Sequence, residues 1–243
     1  MSDILDTIST ELGRLALEQA GWIDSANGLL DLTVAATARA DAAVQADKGR
    51  VFLYVDPTSG QDANAGTLAA PFATLERALQ EVRSLQHTEI GIMNNMTLSV
   101  STTLRTFCGY LFLRGVDAAG VPAQRTLTVQ DDAAASRPGG IFFENPFAAL
   151  LLLDLDIAMG SQFDFGAFRQ EGGSLKAHLV NTTLSETGAN AASVFGTPSA
   201  PGTLDFEVAN MSRTGLDGRI IQGVTDGTAF TNFWWLRSPI ANF

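Results

Sequence analysis

From Val51 onward, short apolar runs alternate with clusters of Gly, Asn, Asp and Pro. Runs of four to eight residues bounded by such turn formers are typical of β-strands. The pattern predicts eleven strands: Val51 to Val55, Ile90 to Met93, Thr97 to Val100, Tyr110 to Leu113, Thr126 to Val129, Ile141 to Phe143, Leu150 to Ile157, Leu175 to Leu179, Leu204 to Val208, Arg219 to Gln222 and Phe230 to Trp235.

The later strands recur at a fixed spacing. The pairs that begin successive units lie 26 residues apart: Ile141-Phe142, Ala167-Phe168, Ser193-Val194 and Arg219-Ile220. A period in the twenties is the length of one coil of a solenoid, in which each repeat buries its faces only against its neighbours. The sequence therefore predicts an all-β stack of coils.

Residues 1–48 have a different pattern, which predicts helix. Ile8, Leu15, Trp22 and Leu29 recur every seven residues, as in the seam of a self-associating helix. We expect residues 1–48 to form an attachment and oligomerisation segment ahead of a β-domain at 49–243. A single helix folded back on the β-domain is the alternative.

The β-domain opens with a turn followed by a short helix. Asp56, Gly60, Asp62 and Gly66 are residue types that shape tight or left-handed backbone. Thr74 supplies a hydroxyl N-cap for a helix near 74–85 that can close one end of the stack. We interpret the four turn residues as structural, and a metal-binding or catalytic role is the alternative.

The arrangement YVDP-x-x-G-x-D-x-N-x-G followed by PF-x-T-L-x-x-A, over residues 54–78, resembles the start of pectate-lyase-like right-handed parallel β-helices of bacteriophage tail fibres and tailspikes. The resemblance implies a homotrimeric fibre subunit on the virion surface, bound through its N-terminus to other virion proteins. It is weakly specific for function, because lyases, hydrolases and non-catalytic fibres share this fold.

The composition and the sequence pattern argue against several kinds of partner, location and covalent link. A net charge of −11 and a pI near 4.5 disfavour nucleic acid and anionic lipid as partners. The longest apolar run, Phe147 to Leu153, is too short to span a bilayer, and the acidic start Met1-Ser2-Asp3 is unlike a signal peptide. The single Cys108 excludes an intrachain disulfide.

Two regions offer candidate contacts or chemistry. Phe233, Trp234, Trp235 and Phe243 crowd the C-terminal end of the sequence and predict a cap or, preferably, a subunit interface. Asp154 and Asp156 alternate with Leu153, Leu155 and Ile157, so that a single strand would present both carboxylates on one side, within reach of paired acid and base roles. A solvated face explains the same two residues.

No metal or cofactor is expected, because neither His87 nor His178 has a second His or Cys at ligand spacing. Together with the helical N-terminal segment, the resemblance implies a structural fibre or spike protein of a phage, or of a phage-like gene transfer particle. Such a protein would present a carbohydrate-binding surface or carry a further receptor-binding subunit. The alternative is a depolymerase of bacterial surface polysaccharide. A free secreted pectate-lyase-like protein is a third, disfavoured possibility.

Overall fold

A computed structural model describes residues 50–84, 86–105, 109–144, 146–188, 190–198, 202–227, 229 and 236–237. The chain divides after Gly49, and the unit Arg50–Phe243 contains all of these residues. The strands are β1 (Val51–Val55), β2 (His87–Ile92), β3 (Met96–Leu98), β4 (Ser101–Leu104), β5 (Gly109–Gly115), β6 (Arg125–Val129), β7 (Asp131–Asp132), β8 (Arg137–Pro138), β9 (Gly140–Phe143), β10 (Phe147–Leu153), β11 (Leu155–Met159), β12 (Gly166–Gln170), β13 (Ser174–Glu186), β14 (Ser193–Phe195), β15 (Thr203–Thr214) and β16 (Leu236–Arg237).

The strands pair in parallel as three ladders. The first ladder contains β1, β2, β5, β10 and the beginnings of β13 and β15, with β16 at its end. The second contains β3, β6, β11 and the ends of β13 and β15. The third contains β4, β9, β12 and β14. Because β13 and β15 belong to two ladders, the sheet is curled rather than flat, and the expectation of an all-β domain is confirmed.

The chain contributes strands to the first, second and third ladders in turn and then repeats this order. It passes from β2 through β3 to β4, from β5 through β6 to β9, and from β10 through β11 to β12. The next passage runs from β13, which supplies two ladders, to β14. Each passage returns the chain to the strand beside its starting point, as expected for stacked repeats.

Side chains from all three ladders meet in one apolar core. Leu111, Leu150, Ala177 and Phe206 occupy neighbouring register positions of the first ladder, and all four are fully buried. Phe195 of the third ladder lies with its ring centroid 5.3 Å from that of Phe206 and is also fully buried. Alternate residues of β5, β6 and β13 are buried in this core, as expected for strands with one face toward it.

The observed repeat is close to the predicted period in the later coils. The third ladder aligns Ile141 with Phe168, Phe168 with Phe195 and Phe195 with Ile221, which gives spacings of 27, 27 and 26 residues. The predicted alignment of Ile141 with Ala167 was therefore wrong by one residue. The preceding spacing is 39 residues, because the antiparallel hairpin β7–β8 is inserted before β9.

The helix α1 (Leu75–Gln80) begins as predicted and ends early. Thr74 accepts a hydrogen bond from the Arg77 backbone N–H at 3.2 Å, which satisfies one free amide of the first turn. Leu75, Ala78 and Leu79 join the core. The helix ends at Gln80 rather than continuing to position 85, and Glu81 is its C-cap.

Two predicted strands are interrupted or almost absent in the structure. The run Leu150 to Ile157 is divided at Asp154, whose φ of 54° breaks the extended backbone. Arg219 to Gln222 contributes only a single bridge, at Ile221. The predicted strand Phe230 to Trp235 lies outside the described residues, as does the predicted helical segment 1–48.

Candidate functional site

The corner between the first and second ladders carries a row of polar side chains. Asp154, Asn181 and Asn210 occupy successive coils and have φ values of 54°, 50° and 59°. Short polar side chains tolerate this left-handed conformation better than other non-glycine residues. Asn181 Nδ2 donates to Asp154 Oδ1 at 3.1 Å, and Asn210 Nδ2 donates to Asn181 Oδ1 at 2.8 Å. The three residues therefore form a hydrogen-bonded stack along the corner.

A shallow polar cleft of about 220 Å³ adjoins this stack. Gln124 Nε2 donates to Asp156 Oδ1 at 2.7 Å on one side of the cleft. Thr183 Oγ1 and Ser212 Oγ share a hydrogen bond of 3.0 Å on the other side. The lining consists of amides, hydroxyls and one carboxylate: Gln124, Asp156, Asn181, Thr182, Thr183, Asn210 and Ser212.

The two carboxylates predicted to act as a pair do not lie in one strand. Asp156 lies in β11 and lines the cleft, whereas Asp154 lies at the bend before β11. The expectation that one strand presents both was therefore wrong, because the backbone turns between them. Their catalytic role remains a prediction.

A chain of ion pairs connects Asp154 to the first ladder. Arg114 Nε lies 3.9 Å from Asp154 Oδ2, and Arg114 Nη1 lies 2.9 Å from Glu89 Oε1. Glu89 also pairs with Arg50, and the Glu89 side chain is almost completely buried. Buried carboxylates are usually paired in this way. Asp154 therefore belongs to a network that links several coils.

The four turn residues make contacts that hold the N-terminal end of the domain. Asp56 is buried and accepts hydrogen bonds from Ser59 Oγ, Asn94 Nδ2 and the Thr58 N–H at 2.6, 2.9 and 2.8 Å. Burial alone would raise the pKa of Asp56, but these hydrogen bonds outweigh it and lower the pKa below its ordinary value.

Asp62 and the two glycines complete this turn. Asp62 Oδ1 accepts from the backbone N–H groups of Ala73 and Thr74 at 3.0 and 2.9 Å, which fixes the start of α1. A Cβ on Gly60 would lie 2.1 Å from the Phe72 carbonyl oxygen, and Gly66 has a φ of 72°. The contacts or the backbone conformation at each of the four positions therefore explain which residue type is found there.

The first ladder carries an exposed aromatic surface that was not predicted from the sequence. Phe52, Tyr110 and Phe147 are 51%, 37% and 38% exposed. They belong to what we call the outer face, formed by the non-core residues of β1, β2, β5, β10, β13 and β15. The signal was available in β10, whose sequence is apolar at every position rather than at alternate ones.

The remaining predicted site residues lie outside the described part of the chain. They are Ile8, Leu15, Trp22 and Leu29 of the predicted seam and Phe233, Trp234, Trp235 and Phe243 of the predicted C-terminal interface.

Comparison of the chain with known proteins gave no match. No protein-family profile, no curated protein and no solved structure matches the chain. Within the described residues, no cluster of three or more His, Cys, Asp or Glu could hold a metal ion. The one helix found there is neither long nor apolar enough to cross a bilayer.

Proposed function

We propose that residues 49–243 form a right-handed parallel β-helix. The rotation of the chain through three parallel ladders supports this architecture, since a coil that returns beside its own start is the repeating unit of a solenoid. The hand follows from the general preference of parallel β-crossovers for right-handed connections. The short helix α1, fixed by Asp62 and Thr74, then serves as the N-terminal cap.

We propose that the protein is a structural fibre or spike subunit of a phage or phage-like particle. The observation that carries this proposal is the stack of coils opened by the Asp56–Gly66 turn and α1, the arrangement that resembles phage tail fibres and tailspikes. On this proposal, the helical N-terminus attaches to the particle and the β-domain projects from it. The protein is then located on the virion surface.

Oligomerisation through the N-terminal seam is part of the proposal. A homotrimer follows from the resemblance, and the heptad spacing of Trp22 and Leu29 permits it. Light scattering on the full chain is expected to give about three times the 25.7 kDa mass of one copy. Replacing Trp22 and Leu29 with Asp should dissociate the oligomer, because the seam would have to bury unpaired charge. An unchanged mass would contradict the seam.

The polar cleft supports contact with a host-surface polysaccharide. Its amides and hydroxyls match the donors and acceptors of sugar hydroxyl groups. The full-length protein is expected to bind capsular or O-antigen polysaccharide without releasing new reducing ends. Replacing Asn210 and Ser212 with Ala should weaken binding, whereas exchanging the exposed Val121 for Ala should not.

A depolymerase is the second candidate, because Asp156 lies in the same cleft as these hydrogen-bonding groups. If the chain is an enzyme, it releases oligosaccharide, and the double substitution Asp154→Asn and Asp156→Asn abolishes release while the protein remains folded. Binding with no release at any concentration leaves the passive fibre as the function. Release that survives the double substitution would exclude both carboxylates.

A further inference from the structure

Strand β10 is apolar on both of its faces. Ala148, Leu150 and Leu152 enter the core, while Phe147, Ala149, Leu151 and Leu153 belong to the outer face. On that face Ala149 and Leu153 are already buried, Leu151 is half-buried and Phe147 is exposed. A strand with one solvated face usually alternates apolar and polar residues, whereas a continuous apolar run is typical of a strand covered on both sides. The outer face of β10 thus has the composition of a covered surface.

Aromatic side chains lie on the outer face at the start of this strand and toward β5. Tyr110 lies with its ring centroid 6.4 Å from that of Phe147 and 6.4 Å from that of Phe112, and the His87 ring lies 4.7 Å from it. Of the five large hydrophobic side chains that are exposed within the described residues, three are on the outer face: Phe52, Tyr110 and Phe147. Single exposed apolar residues need no explanation, but a contiguous group of this kind indicates an interaction site.

The charged groups of the outer face and Arg50, which precedes β1, balance one another: Arg50, Arg114 and Lys176 are positive, and Glu89, Asp205 and Glu207 are negative. All of them except Asp205 form ion pairs within this set. Arg114 and Arg50 both contact Glu89, and Lys176 Nζ lies 3.3 Å from Glu207 Oε1. The chain as a whole carries a net charge of −11. The outer face is therefore close to neutral on a protein that is acidic elsewhere.

We propose that the outer face binds the outer face of a second copy of this chain. Two copies of an acidic protein repel each other over most of their surface, and the neutral aromatic face minimises this repulsion. A cationic partner would be attracted to the acidic remainder of the surface instead. The charge balance thus favours a partner that is itself acidic, and a second copy satisfies that condition. This inference requires neither particle attachment nor the N-terminal seam.

The area of the outer face is small, and a contact of this size is expected to be weak. Six strands spaced about 4.8 Å apart and about seven residues long cover about 550 Å² per copy. The total of about 1,100 Å² lies at the low end for specific interfaces. We therefore expect a weak contact that is populated at high protein concentration.

The test uses photochemical crosslinking of the full-length protein. The photoreactive phenylalanine analogue p-benzoylphenylalanine replaces Phe147 in one sample and, as a control, Val121 in another, since Val121 is 55% exposed and lies outside the outer face. Unlabelled and ¹⁵N-labelled copies are mixed before irradiation, so that mass spectrometry separates crosslinks between copies from crosslinks within a copy.

We expect crosslinks between copies from position 147 to residues of the partner's outer face, at about ten times the yield from position 121. Tyr110→Asp should reduce that yield about tenfold, because it places an unpaired carboxylate in the contact. Val100→Asp, at another exposed apolar position, should leave the yield unchanged.

Three results would overturn the proposal: equal yields from positions 147 and 121, crosslinks confined to single chains, or crosslinks that form only with added polysaccharide. The comparison of positions 147 and 121 remains decisive even if Tyr110→Asp fails to fold. Loss of the N-terminal seam would change the solution mass but not the residues to which position 147 crosslinks, so the two hypotheses fail separately.

Discussion

Replacing Asn181 tests whether the corner stack stabilises the β-domain. The side chain of Asn181 donates one hydrogen bond to Asp154 and accepts another from Asn210, and its φ is 50°. Asn181→Ala removes both hydrogen bonds, which contribute about 0.5–1.5 kcal/mol each in typical proteins. It also places a Cβ without a compensating polar group in the left-handed region, at a cost of about 1–2 kcal/mol. The free energy of unfolding should therefore fall by about 2–5 kcal/mol.

Asn181→Gly separates the two contributions. Glycine loses the same hydrogen bonds but adopts the left-handed conformation without steric cost. The Gly variant should therefore be more stable than the Ala variant by about 1 kcal/mol or more, the reverse of the order in a regular strand, where Ala exceeds Gly by about 0.5–1 kcal/mol. Thr183, two residues further along β13, provides the control, and there the Ala variant should be the more stable.

Urea unfolding followed by far-UV circular dichroism measures all four variants against the natural protein. An Asn181→Ala variant within about 0.5 kcal/mol of the natural protein, as is usual for exposed positions, would refute the role of the stack. A Gly variant less stable than the Ala variant would refute the left-handed geometry.

Three further predictions concern the core and the N-terminal turn. Phe195→Ala should lower the free energy of unfolding by about 3–5 kcal/mol, since the ring is fully buried between Phe168 and Phe206, and a loss below about 1 kcal/mol in urea titrations would contradict this packing. Gly60→Ala should abolish recovery of soluble folded protein, because a Cβ would lie 2.1 Å from a carbonyl oxygen, and normal recovery would show that the turn has another geometry. Asp56 has a lowered pKa in the folded state, so its carboxylate stabilises the fold above the unfolded-state pKa and loses this effect as the pH falls below about 4. The difference in unfolding free energy between the natural protein and Asp56→Asn should therefore be largest near neutral pH and shrink in acid, and a constant difference would exclude the ionised carboxylate as the cause.

The sequence predicted the regular parts of the fold. Thr126 to Val129 was predicted as a strand and forms the greater part of β6, because its apolar residues alternate and turn formers flank it. The Thr74 cap was predicted for a similar reason, since a hydroxyl before an amphipathic run has a local function. Strand β4 was missed because its residues, Ser101 to Leu104, contain only one apolar side chain.

The candidate site was less predictable because it depends on bends and on stacking between coils. Apolar and polar residues alternate around Asp154 as they do in a continuous strand. This pattern does not reveal that the backbone of Asp154 is left-handed. The only available signal was the recurrence of short polar residues at Asp154, Asn181 and Asn210, which are 27 and 29 residues apart. The cleft also depends on Gln124, the last residue of the nine-residue connection between β5 and β6. The sequence pattern does not indicate the path of this connection.

The most direct test of the proposed function is to locate the protein on particles. Lysates of the source culture can be separated on a density gradient and probed with an antibody raised against the full chain. A particle-associated fibre should co-sediment with intact particles and label their surface in immunogold electron micrographs. Recovery of the protein only in the soluble fractions, while particles sediment intact, would contradict the account.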